Sequence, residues 1–144
     1  MREGQGLIVV GVDGSDHARR ALDWALSEAR LRQGRCLLVH AYDYGIAGAT
    51  PGGAPVEGIA QAAQEVLDRE LAFARGSGVP VEGRLVAEGA ARALLDASAG
   101  ADLVVVGSRG RGALASVLLG SVSTAVAHHA ACAVVVVPSP AGPG

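Results

Sequence analysis

Four residues near the carboxyl end of the chain have the types and spacing that could bind phosphate. Gly107 and Gly110 follow a hydrophobic run, and nine residues separate Gly110 from the pair Gly120-Ser121. Glycine lets backbone N–H groups approach an anion because no Cβ intervenes, and the amino end of a following helix adds a favourable dipole. The hydroxyl and the N–H of Ser121 would then be donors. Taken alone, the pattern fits both a phosphate site and a structural turn into a helix.

Positive charge beside this segment could come from Arg109 and Arg111, because arginine donates well to phosphate oxygens. All twelve basic residues of the chain are arginines, and lysine is absent. The absence excludes a Walker A lysine, a Schiff-base lysine and a kinase-type strand lysine. The segment also departs from the GxGxxG pattern at its third glycine, so neither standard phosphate motif applies.

Four further side chains have the chemistry to bind a metal ion or a ligand. Asp13 could hold a ribose hydroxyl or a metal ion on the phosphates, or it could only cap the turn before the next helix. His40, in a hydrophobic run, is predicted to be a hydrogen-bonded residue of the core or of a crevice. His128 and His129 do not predict a metal site, because adjacent residues on a helix point in different directions.

Composition argues against a nucleic-acid or membrane partner. The chain has 144 residues, a net charge of −2 and 3% aromatic residues, so it lacks both a basic face and stacking side chains. Cys36 and Cys132 lie far apart without zinc-ligand spacing, and both are predicted to be reduced thiols. The first apolar run is too short for a signal peptide, and no segment reaches the ~18 apolar residues of a membrane span. We expect a cytoplasmic protein.

Hydrophobic patterning predicts five strands that alternate with four helices. The strands are expected at 7–12, 36–41, 81–87, 102–107 and 133–137, and the helices at 16–33, 59–74, 89–98 and 118–130. Ser15 or Asp16 can cap the first helix, and Gly34 is expected to end it. A connection at 42–58 is rich in Gly and Pro, which is typical of lids and disordered segments. We expect one domain over 1–138 and a disordered tail over 139–144.

The alternation predicts a single-domain, doubly wound parallel α/β sheet with right-handed crossovers. Ligands bind such sheets at the carboxyl ends of the strands, where the strand order reverses. In the order 2-1-3-4-5 the reversal falls between strands 1 and 3, whereas in 3-2-1-4-5 it falls between strands 1 and 4. Because glycine-rich turns follow strands 1 and 4, the order 3-2-1-4-5 fits better. It makes Asp13 and Gly107 neighbours across one crevice.

The spacing Gly107-xx-Gly110-x9-Gly120-Ser121 resembles the GxxGx9G(S/T) nucleotide motif of the ATP-binding branch of the universal stress protein family. The segments VVGVDGSDHARRALDWAL, LLVHAY and LLGSVSTAVAHHAACAVVVV also resemble that family, so the likeness covers nearly the whole chain. The resemblance implies a Rossmann-like fold of the adenine nucleotide alpha hydrolase type, with the strand order 3-2-1-4-5. It further implies a role in the stress response.

The resemblance also implies where ATP would contact the chain. Asp13, with Gly11 and Val12 beside it, would lie at the nucleoside, and the backbone near Ala41 would meet the adenine edge. Mg²⁺ would accompany the phosphates, with Asp13 as its candidate ligand. The ribose and phosphate contacts would come from Val106, Gly107, Ser108, Arg109, Gly110, Arg111 and Gly112, and from Gly120, Ser121 and Val122.

A homodimer is a further implication of the resemblance, through antiparallel pairing of the last strand, Ala133–Val137, across a two-fold axis. The family often has proline just before the last valine run, where this chain has Ala133. The departure concerns the local geometry of the dimer strand and leaves the predicted nucleotide site untouched.

The leading functional hypothesis is a cytoplasmic module that holds ATP and signals by occupancy or by slow turnover. No Asp, Glu or His is placed by the sequence to activate a water, so no catalytic residue is assigned and fast hydrolysis is not predicted. One alternative is a nucleotide-free stress-response protein that acts through protein contacts. Another is an adenylylating enzyme of the ATP-pyrophosphatase type, but such enzymes need an SGGxDS loop, and VDGSDH has one glycine where two are needed.

Overall fold

The computed structural model of the chain describes residues 6–42, 56–108 and 119–138. Five strands and four helices alternate within these ranges. The strands are β1 (Leu7–Gly11), β2 (Arg35–Ala41), β3 (Val81–Val86), β4 (Leu103–Gly107) and β5 (Ala133–Val137). The helices are α1 (Asp16–Arg32), α2 (Val56–Arg75), α3 (Ala90–Ser98) and α4 (Ser121–His129). The predicted alternation is confirmed.

All five strands are parallel and form one sheet in the order β3-β2-β1-β4-β5. The predicted order is therefore confirmed, and the reversal falls between β1 and β4. Val10 of β1 lies opposite Val105 of β4 across this junction. β1 and β4 are buried on both faces, which explains why their sequences are continuous hydrophobic runs rather than alternating ones.

Each face of the sheet carries its own hydrophobic core. On one face, α1 and α2 pack against the even-numbered residues of β1 and β2, such as Ile8 and Leu38. On the other face, α3 and α4 pack against Val9, Val39 and the even-numbered residues of β4. Alanine supplies much of the helix surface in both cores, which lets the helices approach the sheet closely. The layers place the amino ends of α1 and α4 at the carboxyl edge of the sheet.

α1 ends just before Gly34, as predicted, but the residue that adopts the left-handed backbone is a different one. Ser15 caps the helix at its start, with its Oγ accepting from the Ala18 N–H at 3.2 Å. At the other end the left-handed residue is Gln33, with φ of 55°, and not Gly34. Gly34 has a different reason to be glycine, because a Cβ there would overlap the carbonyl oxygen of Gly6. The close approach between two backbones is therefore what requires glycine at this position, while the Gly34 N–H closes the helix end by donating to the Ala29 carbonyl at 2.8 Å.

Other boundaries also shift. The helix expected from residue 59 begins at Val56, so the last residues of the predicted 42–58 connection are helical, and 43–55 lie outside the described residues. The helix expected from residue 118 begins at Ser121, because Gly120 is its N-cap. Residue 118 and the predicted tail at 139–144 also lie outside the described ranges.

Both cysteines, Cys36 and Cys132, are free thiols, as predicted. Cys36 is buried under α1, where its thiol lies 3.7 Å from the Ala25 carbonyl oxygen. None of the helices that the structure describes is long and apolar enough to cross a membrane.

Candidate functional site

The candidate site lies at the carboxyl ends of β1 and β4, where the strand order reverses. β1 ends at Gly11 and β4 ends at Gly107, and the two strands are hydrogen-bonded neighbours. The amino ends of α1 and α4 lie at the same edge of the sheet. α1 begins five residues after Gly11, and α4 begins beside the end of β4 because the Gly120 N–H donates to the Ser108 carbonyl. The structure therefore places Gly11 and Gly107, from which the two glycine-containing turns start, at the ends of neighbouring strands, as the strand order predicts.

Asp13 organises the turn between β1 and α1. Its Oδ1 accepts from the Ser15 N–H at 2.8 Å, and the turn passes through Gly14, which has φ of +82°. Positive φ at Gly14 costs little because glycine has no Cβ. The alternative role of Asp13, capping the turn, is thus confirmed. Its role toward a ligand or a metal ion stays a prediction.

His40 fixes the residue that precedes this turn. The Nδ1 atom of His40 lies 2.8 Å from the Val12 carbonyl oxygen, and the imidazole is buried. Because a carbonyl oxygen only accepts, we assign the hydrogen to Nδ1. The Val12 N–H donates to the Val39 carbonyl at 2.9 Å, so both peptide groups of Val12 are held. The prediction of a hydrogen-bonded core histidine is confirmed.

Several predicted site residues also have packing roles. A Cβ on Gly11 would lie 3.0 Å from the Leu94 Cδ1, so the glycine allows α3 to approach the end of β1. Val106 is buried in the core beneath α3 and α4, and Ala41 and Val122 pack against the same core. Ala41, Val106 and Val122 therefore lie on one face of the sheet, whereas Val12 belongs to the opposite core.

The junction between β4 and α4 is closed by hydrogen bonds. The Gly120 N–H donates to the Ser108 carbonyl at 2.7 Å, and the Ser108 N–H donates to the Val137 carbonyl at 3.0 Å. The hydroxyl of Ser123, which is buried, lies 3.1 Å from both the Ser108 and the Gly120 carbonyl oxygens. These contacts bring the two ends of the segment at 109–118 together.

The amino end of α4 has the electrostatics of an anion site. Gly120 is the N-cap with extended backbone, and no acidic residue lies in the first turn. The N–H groups of Ser121 and Val122 have no acceptor within the helix, and they carry the positive end of its dipole. Ser121 is exposed at this end. A phosphate or another anion could bind here without burying a charge, because the end of the helix is exposed.

The structure leaves part of the predicted site outside its described residues, namely Arg109, Gly110, Arg111 and Gly112. It also adds Ser123, which the sequence prediction missed. The available signal was its position three residues after Gly120, because a helical serine commonly bonds the carbonyl three residues before it. Within 6–42, 56–108 and 119–138 no group of three His, Cys, Asp or Glu side chains could hold a metal ion.

Comparison with known proteins covers nearly the whole chain. The universal stress protein family model matches residues 6–138. The universal stress protein in the QAH/OAS sulfhydrylase 3′ region of Thermus aquaticus is 39% identical over 143 residues, covering 90% of this chain and 96% of that protein. A universal stress protein of Mycolicibacterium smegmatis is 41% identical over 138 residues, covering 90% of this chain and 47% of that protein. The chain thus spans about half the length of this second relative.

Solved structures show the same fold. The universal stress protein from Archaeoglobus fulgidus in complex with dAMP is 30% identical, with a TM-score of 0.68 over 90% of this chain and 94% of that one. A universal stress protein in complex with cAMP is 27% identical, with a TM-score of 0.71 over 91% of this chain and 95% of that one. On the family match and these likenesses, the chain belongs to the universal stress protein family.

Proposed function

We propose that this chain is a cytoplasmic, ATP-binding stress-response module whose nucleotide lies at the carboxyl ends of β1 and β4. The observation that carries the proposal is the closed β4–α4 junction, in which Gly120 bonds to Ser108 and presents the amino end of α4 beside the strand reversal. Two related proteins of similar fold were solved with dAMP and with cAMP, which supports an adenine nucleotide as the ligand.

The roles that we assign follow the sequence motif. The N–H groups of Ser121 and Val122 bind phosphate oxygens, and the glycines of 107–112 let the backbone pass close to the phosphates, with Arg109 and Arg111 adding charge. Asp13 binds the nucleoside, and the backbone near Ala41 meets the adenine edge. ATP rather than a monophosphate is proposed because the motif with Gly110 and Gly120 belongs to the ATP-binding branch of the family.

Mg²⁺ would bind with ATP. The one carboxylate among the proposed site residues is Asp13, which suits an ion held mainly by phosphate oxygens and water. When bound, Mg²⁺ would neutralise phosphate charge. No described side chain is assigned as a base for water, so we propose occupancy, with at most slow turnover, as the signal.

We also propose that the functional unit is a homodimer joined through β5. β5 is the last strand of the sheet, and its four valines are half-buried in the single chain. An exposed apolar edge strand invites further strand pairing, and antiparallel pairing with a second copy would cover it.

Isothermal titration calorimetry tests the ligand directly. The chain is titrated with ATP, AMP, cAMP and adenosine, each with Mg²⁺ and with EDTA, and with GTP as the base control. We expect binding of the adenine nucleotides, tighter binding of ATP with Mg²⁺ than with EDTA, and no binding of GTP. Mass spectrometry of small molecules that co-purify gives an independent readout.

The alternatives predict different results. Purified chain that carries no nucleotide and binds none of the adenine compounds would contradict the proposal and favour a protein-interaction role. Release of pyrophosphate from ATP with candidate acids or amines would instead identify an adenylylating enzyme.

A further inference from the structure

Ser123 joins the two ends of the segment that the proposed function assigns to phosphate binding. Its hydroxyl lies 3.1 Å from the Ser108 carbonyl oxygen and 3.1 Å from the Gly120 carbonyl oxygen. The residue is 2% exposed, so bulk water does not compete for its one hydroxyl hydrogen. A single side chain therefore connects the carboxyl end of β4 to the first turn of α4.

Neither carbonyl depends on this hydroxyl for a hydrogen-bond partner. The Ser108 carbonyl also accepts from the Gly120 N–H at 2.7 Å, and the Gly120 carbonyl also accepts from the Thr124 N–H at 3.0 Å. A helical serine satisfies its own hydroxyl with the carbonyl three residues before it, which here is Gly120. Here the hydroxyl oxygen lies at the same distance from the Ser108 and the Gly120 carbonyl oxygens, so its one hydrogen is shared between the strand end and the helix start. A shared hydrogen bond of this kind restrains the distance between the two segments.

We propose that Ser123 is a positioning residue for the phosphate groups of the bound nucleotide, an inference that rests on the proposed function. The Gly120 carbonyl points into the helix, so the N–H groups of Ser121 and Val122 point out of its amino end. Their direction follows the placement of Gly120 against Ser108. Binding groups must be held within about 0.5 Å of the productive geometry. Ser123 provides that restraint without touching the ligand.

Ser98 supplies a matched control for Ser123. It is 1% exposed, its Oγ donates to the Leu95 carbonyl at 2.7 Å, and it accepts from the Ala131 N–H at 3.0 Å. Ser98 thus also connects a helix to a neighbouring segment, but at the amino edge of the sheet, before β4 and β5 begin. Ser98→Ala leaves the Ala131 N–H without this acceptor, so it should lower the melting temperature at least as much as Ser123→Ala.

The experiment compares ATP with adenosine, which lacks the phosphates, by calorimetry on the full chain. For Ser123→Ala we expect the ATP affinity to fall about five- to tenfold, as for misplaced hydrogen bonds, with adenosine affinity within about twofold of the unmodified chain. Ser98→Ala should leave both affinities within about twofold. Ser123→Cys, which keeps a weak donor, should give an intermediate ATP affinity.

Four results would overturn the inference. Unchanged ATP affinity in Ser123→Ala would show that the contact with Ser108 has no role in binding. Equal losses for ATP and adenosine, or an equal ATP loss in Ser98→Ala, would show a general loosening of the fold. If the unmodified chain binds no adenine nucleotide, the proposed function fails, and the role of Ser123 fails with it. If the unmodified chain binds ATP and only the variant comparison fails, the proposed function stands.

Discussion

The Gly120 N–H donates to the Ser108 carbonyl across 2.7 Å, and this bond joins the end of β4 to the start of α4. Ser108 also donates its own N–H to the Val137 carbonyl at 3.0 Å, so one buried residue links β4, α4 and β5. These two hydrogen bonds fix the amino end of α4, where we propose that the phosphates bind, relative to the edge strand β5. Two hydrogen bonds, both made by Ser108, therefore connect the proposed nucleotide site to the proposed dimer strand.

Asp13→Asn separates the two roles of Asp13. In the unmodified chain the Ser15 N–H donates to the Asp13 carboxylate at 2.8 Å. The amide oxygen of asparagine can accept the same hydrogen bond, so the turn before α1 should remain. The negative charge is lost, and with it a charge-assisted bond to the nucleoside. We expect the melting temperature to change little and the affinity for adenosine and ATP to fall about tenfold.

Asp16→Asn is the control for this change. Asp16 is exposed in the first turn of the same helix, so the variant removes the same charge a few residues from the site. We expect its nucleotide affinity to stay within about twofold of the unmodified chain. If Asp13→Asn and Asp16→Asn had the same effect, Asp13 would have no direct ligand role.

The strand order could be predicted from the sequence because its signals are local. Turn glycines follow β1 and β4, and buried parallel strands are written as unbroken hydrophobic runs. α1 ends before Gly34 as the sequence predicts, but the requirement for glycine there comes from the backbone of Gly6, which lies 28 positions away. Ser123 was missed for a similar reason, because its partner Ser108 lies across the 109–118 segment. Pattern alone does not specify contacts between distant segments.

Val136→Pro tests the proposed dimer. In parallel strands the N–H and C=O of one residue point to the same side, and successive residues alternate. The Val137 carbonyl accepts from the Ser108 N–H, which follows β4, so Val137 directs its backbone groups toward β4. The neighbouring residue, Val136, therefore directs its N–H to the open edge of the sheet. Proline at 136 removes that N–H while sparing the ladder with β4. We expect a shift from dimer to monomer in light scattering with size-exclusion chromatography.

Val135→Pro is the control, because it should destabilise the single chain rather than remove a hydrogen bond of the dimer. Residue 135 lies opposite Val105 and directs its N–H toward β4, so proline there breaks the ladder of the single chain. We expect a loss of about 1–3 kcal/mol in the free energy of unfolding, because a carbonyl of β4 loses its hydrogen-bond donor. A dimer that persists in Val136→Pro, with β5 intact, would contradict pairing through this edge.

The ion pair between Arg19 and Glu70 predicts an asymmetric response to mutation. The Nε and Nη2 atoms of Arg19 each lie 2.9 Å from an oxygen of Glu70, and the guanidinium lies 4.0 Å above the Phe73 ring. The Glu70 side chain is 5% exposed, whereas that of Arg19 is 39% exposed. Removing the arginine therefore leaves a buried charge, and removing the carboxylate leaves a cation that water can reach.

We expect Arg19→Met to lower the free energy of unfolding by about 2–3 kcal/mol, below the full cost of breaking a buried pair because Arg19 is partly solvated. Glu70→Gln should cost about 1 kcal/mol, since the amide can keep one hydrogen bond. Urea unfolding of both variants measures the difference. Equal losses would mean that the buried position of Glu70 has no energetic consequence.

Cys36 predicts a stability change at alkaline pH. Burial raises the pKa of its thiol from 9.0 to about 11. In the unfolded chain the thiol ionises at its ordinary pKa, so between these values the unfolded chain has lost a proton that the folded chain keeps. The free energy of unfolding therefore falls as the pH rises from about 9 to about 11. Below this range the buried thiol makes its full contribution to stability. At about pH 8 the same burial should protect the thiol from alkylation.

Comparing the unmodified chain with Cys36→Ala isolates this contribution from the other groups that titrate at high pH. The variant lacks the buried sulfur and should be less stable by about 1–2 kcal/mol near neutral pH, because a small cavity remains. Urea unfolding at about pH 8 and about pH 10 should show that the gap narrows as the pH rises, since only the unmodified chain loses the thiol contribution. Cys132→Ala is the control. The Cys132 thiol is only half-buried, so its stability difference from the unmodified chain should change less with pH than that of Cys36→Ala. A gap for Cys36→Ala that stays constant with pH would mean that its thiol ionises alike in both states.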